Sequence, residues 1–133
     1  MATQQQVSST QIIQQSVKQE QPGVDINLVL HVLADKVQKK EIRLLQIGNT
    51  VFMLKPLDDQ TVEFHTFTIE PISDLILRYR AGINTLKEMG FKKAVSYSES
   101  PAFVKIAQQT GLPVRVSQEN TDKGVTYKFE VDL

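Results

Sequence analysis

The feature that most constrains the fold is a run of three strand-like segments followed by one long amphipathic helix. The segments cover residues 42–47, 50–57 and 61–69, and the third alternates apolar and polar side chains most clearly. Gly48-Asn49 is typical of a tight hairpin turn, and residues 58–60 are typical of a second turn. Strands joined by such short connections predict an antiparallel meander.

Helices are predicted on either side of this meander, and further strands follow. Asp25 can cap a helix to about Lys39, whose apolar stripe is formed by Leu28, Val29, Val32, Leu33 and Val37. A helix from Ser73 to Met89 is expected to end at Gly90. The remaining elements are a strand at 93–98, a short helix to about 110 and a hairpin of strands at 114–119 and 125–131. This order predicts an α+β fold with a mixed sheet.

Composition restricts the class of protein. The 133 residues are enough for one domain, and 15 basic residues balance 15 acidic ones, which argues against a nucleic-acid partner or an anionic membrane partner. The absence of cysteine excludes disulfides, and His31 and His65 are too few for a His-rich metal site, so no metal is predicted. Without an apolar run of spanning length or a signal pattern, we expect a protein that is neither secreted nor membrane-spanning, located in the cytoplasm or packaged in a virion.

The N-terminal segment differs in composition from the rest. Eight of the first 21 residues are Gln, and the sizeable apolar side chains are few: Val7, Ile12, Ile13 and Val17. Because so little apolar area is available to offset ordering entropy, residues 1–23 are predicted to be a flexible arm and residues 24–133 the folded domain. The nearly helical spacing of the three later side chains leaves open an arm that becomes ordered against a partner.

Two stretches have counterparts in a known family. Leu86-Lys-Glu-Met-Gly90-Phe-Lys-Lys-Ala-Val95 resembles the end of the long helix and the fifth strand of the GCN5-related N-acetyltransferase (GNAT) family. Ser100-Pro-Ala-Phe103 through Gly111-Leu112 resembles the segment around its fourth helix. The element order of residues 25–133 is also similar, although the family's usual first strand has no clear counterpart. The resemblance implies a GNAT-like, mainly antiparallel sheet with helices packed on both faces.

The resemblance also implies where an acetyl-CoA pyrophosphate would bind. The family's glycine-rich run corresponds to Glu70, Pro71, Ile72, Ser73, Asp74 and Leu75. This run has no glycine and no arginine, the proline lacks an N–H donor, and two carboxylates would repel phosphate oxygens. We therefore predict that no cofactor binds there, and acetyl-CoA enters only under an alternative function.

The catalytic positions implied by the family are also altered. The position of its proton-donating tyrosine corresponds to Ala107, which cannot donate a proton, and its helix-opening asparagine corresponds to Ser100. Glu63 and His65 share one face of the third strand and are the candidate general bases, or else a polar pair on a half-exposed sheet. These changes favour a protein without catalytic residues.

Three functions remain open at this point. The first is a non-catalytic structural or interaction protein, a subunit of a larger assembly such as a phage virion, which binds protein partners through residues 1–23 or forms a homo-oligomer. The second is a divergent N-acetyltransferase that uses acetyl-CoA or another acyl carrier. The third is a small regulatory or inhibitory protein that binds a host factor.

Overall fold

The computed structural model describes residues 7–122 and 124–133, which form four helices and one six-stranded sheet. The helices are α1 (Ser9–Glu20), α2 (Ile26–Gln38), α3 (Ile72–Glu88) and α4 (Ala102–Gln109). The strands are β1 (Arg43–Ile47), β2 (Thr50–Pro56), β3 (Thr61–Thr68), β4 (Lys93–Ser98), β5 (Val114–Thr121) and β6 (Gly124–Asp132). The predicted order of elements from residue 25 onward is confirmed, and within the described residues no strand precedes α1.

The sheet has the strand order β1-β2-β3-β4-β6-β5 and is antiparallel except at one place. The predicted meander is confirmed, and its β2–β3 ladder runs without interruption from Thr50 opposite Thr68 to Pro56 opposite Val62. Gly48 takes a φ of +60° in the β1–β2 turn, a left-handed conformation that favours glycine. Only β3 and β4 are parallel, because α3 carries the chain across between them.

One face of the sheet packs against α3 and α4. Phe52, Leu54, Val62 and Phe64 of the sheet form a cluster with buried side chains of α3, namely Ile83 and Leu86. Gly82 allows the helix to approach closely, since a Cβ at that position would lie 2.9 Å from the Phe52 ring. The apolar side of this amphipathic helix is therefore the surface that covers the sheet.

The opposite face packs against α1, where the sequence predicted a flexible arm. Ile12, Ile13 and Val17 are buried in a cluster with Val51 and Phe67 of the sheet. The prediction is wrong for residues 9–20, because their few apolar side chains all lie on one helical face and pack against this chain's own sheet. Residues 1–6 of the predicted arm lie outside the described residues.

Polar contacts hold α1 in place. Ser8 and Gln11 form a capping box at its first turn. Ser16, buried at 2% exposure, accepts a 3.2 Å hydrogen bond from the backbone N–H of Thr68 at the end of β3. Gln46 donates to the Val7 carbonyl at 2.7 Å. The helix is therefore fixed to β1 and β3 at both ends.

Helix α2 forms an outer layer rather than part of the core. Asp25 caps it as predicted, accepting from the backbone N–H groups of residues 27 and 28 at 3.1 and 3.3 Å. The predicted stripe is only partly correct, since Val29 and Leu33 pack inward whereas Leu28, Val32 and Val37 are 60%, 42% and 38% exposed. The reason is that α2 packs against α1 instead of lying flat on the sheet. No helix in the described ranges has both the length and the apolar character that a membrane crossing requires.

Candidate functional site: a cleft between parallel strands

The central feature is a cleft where the two parallel strands diverge. β3 and β4 pair only over three positions, from Thr61 opposite Lys93 to Glu63 opposite Val95. Beyond these positions β3 continues to Thr68 with β2 as its paired neighbour, and β4 continues beside β6. Alternate N–H and C=O groups on the inner edges of both strands must therefore point into the gap.

A cavity of about 610 Å³ occupies this gap and reaches both faces of the sheet. Phe64 and Thr66 line it from the α3 side, where the Thr66 hydroxyl accepts a 3.0 Å hydrogen bond from Tyr79. His65, which alternates with them, lines it from the α1 side and contacts the ring of Phe67 edge-on at 4.8 Å. Since adjacent residues of a strand point to opposite faces, the cavity passes through the sheet.

The part of the cavity beneath α4 is apolar. We call it the apolar chamber and define it by side chains from α4, the following turn, β5 and β6: Phe103, Ile106, Ala107, Leu112, Val114, Phe129 and Val131. The Thr110 hydroxyl beside it donates to the Ala107 carbonyl at 2.6 Å, so its hydrogen-bonding capacity is used within the protein. Burial raises the pKa of Tyr79 to about 12, so its phenol stays protonated and bonded to Thr66.

The charged side chains that line the cavity within the described residues are acidic or histidine. Glu20 at the end of α1, His65 on β3 and Glu99 after β4 supply them, and no lysine or arginine of the described chain lines it. Although the His65 side chain is exposed at the mouth of the cavity, desolvation by the surrounding protein lowers its pKa against the smaller opposing effects of Glu20 and Glu63. The imidazole is therefore mainly neutral near pH 7 and can accept a proton.

The two candidate bases predicted from sequence occupy different positions. Glu63 and His65 do share one face of β3, but His65 lines the cavity whereas Glu63 lies at the level where β3 and β4 still pair. The same cavity is lined by three serines that the sequence alone does not bring together, Ser96, Ser98 and Ser100. Alternation along β4 puts the first two on one face, which no local motif indicates.

The turn that corresponds to the family's phosphate-binding run, where no cofactor is predicted to bind, is separate from this cavity. None of the residues 70–75 lines the cavity, and Pro71 begins α3 without a side-chain capping bond. The Glu70 carboxylate is 9% exposed and forms an ion pair with Arg78 at 3.0 Å, while Thr50 donates to it at 2.6 Å. Burial acts to raise the pKa of Glu70, but the hydrogen bonds from Arg78 and Thr50 outweigh it and the pKa lies below its usual value.

Two arginines of α3 have defined partners within the protein. Arg78 is bound by Glu70, and Arg80 donates to the Thr110 carbonyl at the end of α4 at 2.8 Å. Sequence spacing alone does not reveal either contact, because both partners lie on other elements. In residues 7–122 and 124–133 no three His, Asp or Glu side chains are grouped to hold a metal ion.

The position that corresponds to the family's tyrosine is inside the site. Ala107 lines the apolar chamber from α4, so a methyl group faces the space that a phenol would occupy. Ser100, at the position of the helix-opening asparagine, donates its backbone N–H to Ser98 Oγ at 3.1 Å. Neither residue supplies an acid comparable to tyrosine.

Comparison with known proteins identifies the fold. No family model matches the sequence, and no curated protein matches it significantly. A chimera of Vibrio cholerae spermidine N-acetyltransferase SpeG and hSSAT has a TM-score of 0.66, at 12% identity over 98% of this chain and 96% of that one.

Two further solved structures contain ligands. A GNAT acetyltransferase from Elizabethkingia anophelis with acetyl-CoA bound gives a TM-score of 0.60, at 13% identity over 99% of this chain and 95% of that one. Spermidine N-acetyltransferase from Vibrio cholerae in complex with CoA and spermine gives 0.61, at 10% identity over 96% and 93%. This chain therefore has the fold of the GNAT acetyltransferases.

Proposed function

We propose that the protein is a divergent N-acyltransferase that binds an acyl thioester in the cleft between β3 and β4. The observation that carries this proposal is the open cavity of about 610 Å³, which passes through the sheet where the parallel strands diverge. Its size falls within the range of about 300–1,000 Å³ typical of small-molecule sites. Solved structures of the same fold contain acetyl-CoA, or CoA with spermine, and support this choice.

The cleft suits the pantetheine arm of a thioester. The inner edges of β3 and β4 present backbone N–H and C=O groups without a neighbouring strand to pair with. An extended ligand with amide groups can pair with such an edge as an added strand would. This recognition needs neither glycines nor a phosphate-binding helix.

The reaction requires a base on the side of the cavity where the amine approaches. The amine nitrogen attacks the thioester carbonyl carbon, a C–N bond forms, the C–S bond breaks, and the sulfur leaves as a thiolate that takes a proton from water. His65, mainly neutral because desolvation lowers its pKa, accepts the proton released by the amine. Glu20 lines the same cavity and stabilises the resulting imidazolium.

We expect this protein to differ from the solved acetyltransferases in the acyl carrier that it uses. Glu70, Pro71 and Asp74 give the start of α3 two carboxylates and one missing N–H, and the Arg78 guanidinium is already bound by Glu70. A nucleotide pyrophosphate therefore gains little there, and a carrier without that nucleotide fits equally well.

Calorimetric titration with acetyl-CoA and with acetyl-pantetheine tests the proposal. We expect both thioesters to bind with dissociation constants within about tenfold of each other, because the nucleotide adds at most about 1.4 kcal/mol. The proposal is wrong if neither thioester binds.

A second test concerns the base. His65→Ala is expected to lower kcat by about 100-fold or more with an acyl acceptor amine, while thioester binding is kept. His31→Ala is the matched control, because His31 is exposed on α2 away from the cavity. An equal decrease of kcat in the two variants would show that His65 is not the base.

A second candidate is a non-catalytic subunit of a larger assembly, such as a phage virion. Two observations favour it. Glu70 forms an ion pair with Arg78 in the turn that corresponds to the family's phosphate-binding run, and Ala107 stands at the position of the family's proton-donating tyrosine. Because the apolar face of α1 is buried in this chain, a protein partner would bind elsewhere, and the exposed Leu28 and Val32 of α2 are available. Purification from the native source tests it: a stoichiometric particle component supports assembly, and a single soluble partner supports a regulatory role.

A further inference from the structure

We infer that the acyl group transferred is an aliphatic chain of about six to ten carbons, which lies in the apolar chamber beneath α4. This inference rests on the proposed function and names its substrate class. Three observations support it: the position of the chamber at the closed end of the cleft, its apolar side chains, and the hydrogen bonds that nearby polar groups already make within the protein.

The chamber and the cleft belong to one continuous cavity. Phe64 lines the cleft on β3, and Phe129 and Val131 line the chamber on β6, at 8% and 5% exposure. Val131 lies opposite Ala94, and Ala94 pairs with Val62 where β3 and β4 are still joined. The chamber therefore reaches down to the closed end of the cleft, below the level at which a thioester would pair with the diverging strands.

Two polar side chains beside the chamber are engaged within the protein, and one serine, Ser96, lies opposite Phe129 on the same face of the sheet. The hydroxyl of Thr110 donates to the Ala107 carbonyl, and the phenol of Tyr79 donates to Thr66 at 3.0 Å. In the described residues no buried side-chain nitrogen or oxygen lacks a hydrogen-bond partner. The seven apolar side chains that define the chamber therefore favour the hydrocarbon part of a ligand.

The charged lining residues lie at the strand ends and on the α1 side. Glu20 and His65 lie on the face of the sheet opposite α4, and Glu99 follows the end of β4. A ligand that matches both regions has a polar, hydrogen-bonding part in the cleft and a hydrocarbon part beneath α4. An acyl thioester of medium length has this form, whereas an acetyl group leaves the chamber empty.

The test uses N-acetylcysteamine thioesters, which carry an amide arm but no nucleotide, with acetyl, hexanoyl and octanoyl groups. Each methylene group that becomes buried is expected to tighten binding about fourfold. The octanoyl thioester should therefore bind on the order of 100-fold more tightly than the acetyl one if three or four methylene groups are buried. Equal binding of both would overturn the inference and leave the proposed function standing.

Variants locate the effect. Ala107→Phe fills the chamber and should abolish the preference for octanoyl over acetyl, and Ala107→Leu serves if the larger side chain prevents folding. Ala102→Phe is the matched control, because Ala102 is exposed at the start of the same helix. A preference that survives in folded Ala107 variants contradicts the assignment to this chamber.

Failure of the proposed function gives a different result. If no thioester binds, titration with methyl octanoate, which lacks the amide arm, isolates the chamber. Binding that Ala107→Phe removes supports a hydrocarbon site in a protein without thioester activity, and absence of binding overturns the inference as well.

Discussion

The position of α1 leads to a sharp prediction about stability. Ile12 is fully buried on α1, against Val51 and Phe67 of the sheet. Truncating a buried isoleucine to alanine removes the transfer free energy of three carbon atoms and leaves a cavity, at a cost of about 2–5 kcal/mol. Because Ile12 has no exposed surface, we expect Ile12→Ala to lower the free energy of unfolding by about 3 kcal/mol, a large share of the 5–15 kcal/mol typical of a domain.

Urea denaturation followed by circular dichroism measures this change. With a slope of about 1–3 kcal/mol/M, the transition midpoint should fall by about 1–3 M at unchanged slope. Gln15→Ala, on the exposed side of the same helix, is the control and should change stability by less than about 0.5 kcal/mol. If Ile12→Ala lowers the free energy of unfolding by a comparably small amount, α1 does not fold with the domain. In that case Glu20 would not line the cavity from the α1 side.

Two other predictions concern α3. Removing the carboxylate in Glu70→Gln should cost about 2 kcal/mol at neutral pH, through its bonds to Arg78. The folded-state pKa of Glu70 is below its usual value, so the wild-type protein should have its full stability advantage over Glu70→Gln above about pH 4.5. This difference in the free energy of unfolding should shrink as pH falls through the folded-state pKa. A difference that is constant from pH 7 to pH 3 would contradict the prediction. Gly82→Ala should destabilise the protein by about 1–2 kcal/mol, because the added Cβ would lie 2.9 Å from the Phe52 ring, although alanine normally favours a helix. The control is Ala81→Gly at the exposed neighbouring position, which measures helix propensity alone and should cost about 1 kcal/mol. A Gly82→Ala variant that is more stable than the wild-type protein would show that the Phe52 ring moves aside at little cost.

Local pattern was sufficient for most of the sheet and helices. β4 runs over Lys93–Ser98 as predicted, and Gly48 and Asp25 lie in the turn and the cap that their chemistry favours. These elements depend on alternation, on positive φ at glycine and on side-chain capping, all of which are encoded within a few residues. The GNAT fold follows from their order.

The helix that the sequence analysis missed shows the limit of composition. The segment around Ile12 and Val17 is rich in glutamine, and its average apolar content is that of a disordered tail. What decides its structure is the concentration of those side chains on one face, with Ser16 placed to accept from Thr68 across 52 residues of sequence. A partner that lies so far away in the chain cannot be inferred from local composition.

The cleft was equally inaccessible from sequence. It exists because β3 and β4 pair over only three positions, and the alternation of side chains along either strand does not indicate where that pairing ends. The contribution of Glu20 to the cavity depends in turn on the misassigned α1. Local strand alternation places His65 on one face of β3. The residues that surround its side chain lie far away in the sequence, so its environment cannot be predicted from that alternation.

The separation between the phosphate turn and the cavity changes what the altered turn implies. None of the residues 70–75 lines the cavity, so a turn unsuited to pyrophosphate does not close the space for a thioester. An enzyme that forgoes the binding energy of a remote nucleotide needs another source of binding energy to orient its substrate. Four methylene groups buried in the apolar chamber supply about 3 kcal/mol, comparable to one or two hydrogen bonds to a charged phosphate. Under the proposed function, these magnitudes would let the chamber beneath Ala107 replace the turn at Glu70 as the part of the site that holds the donor.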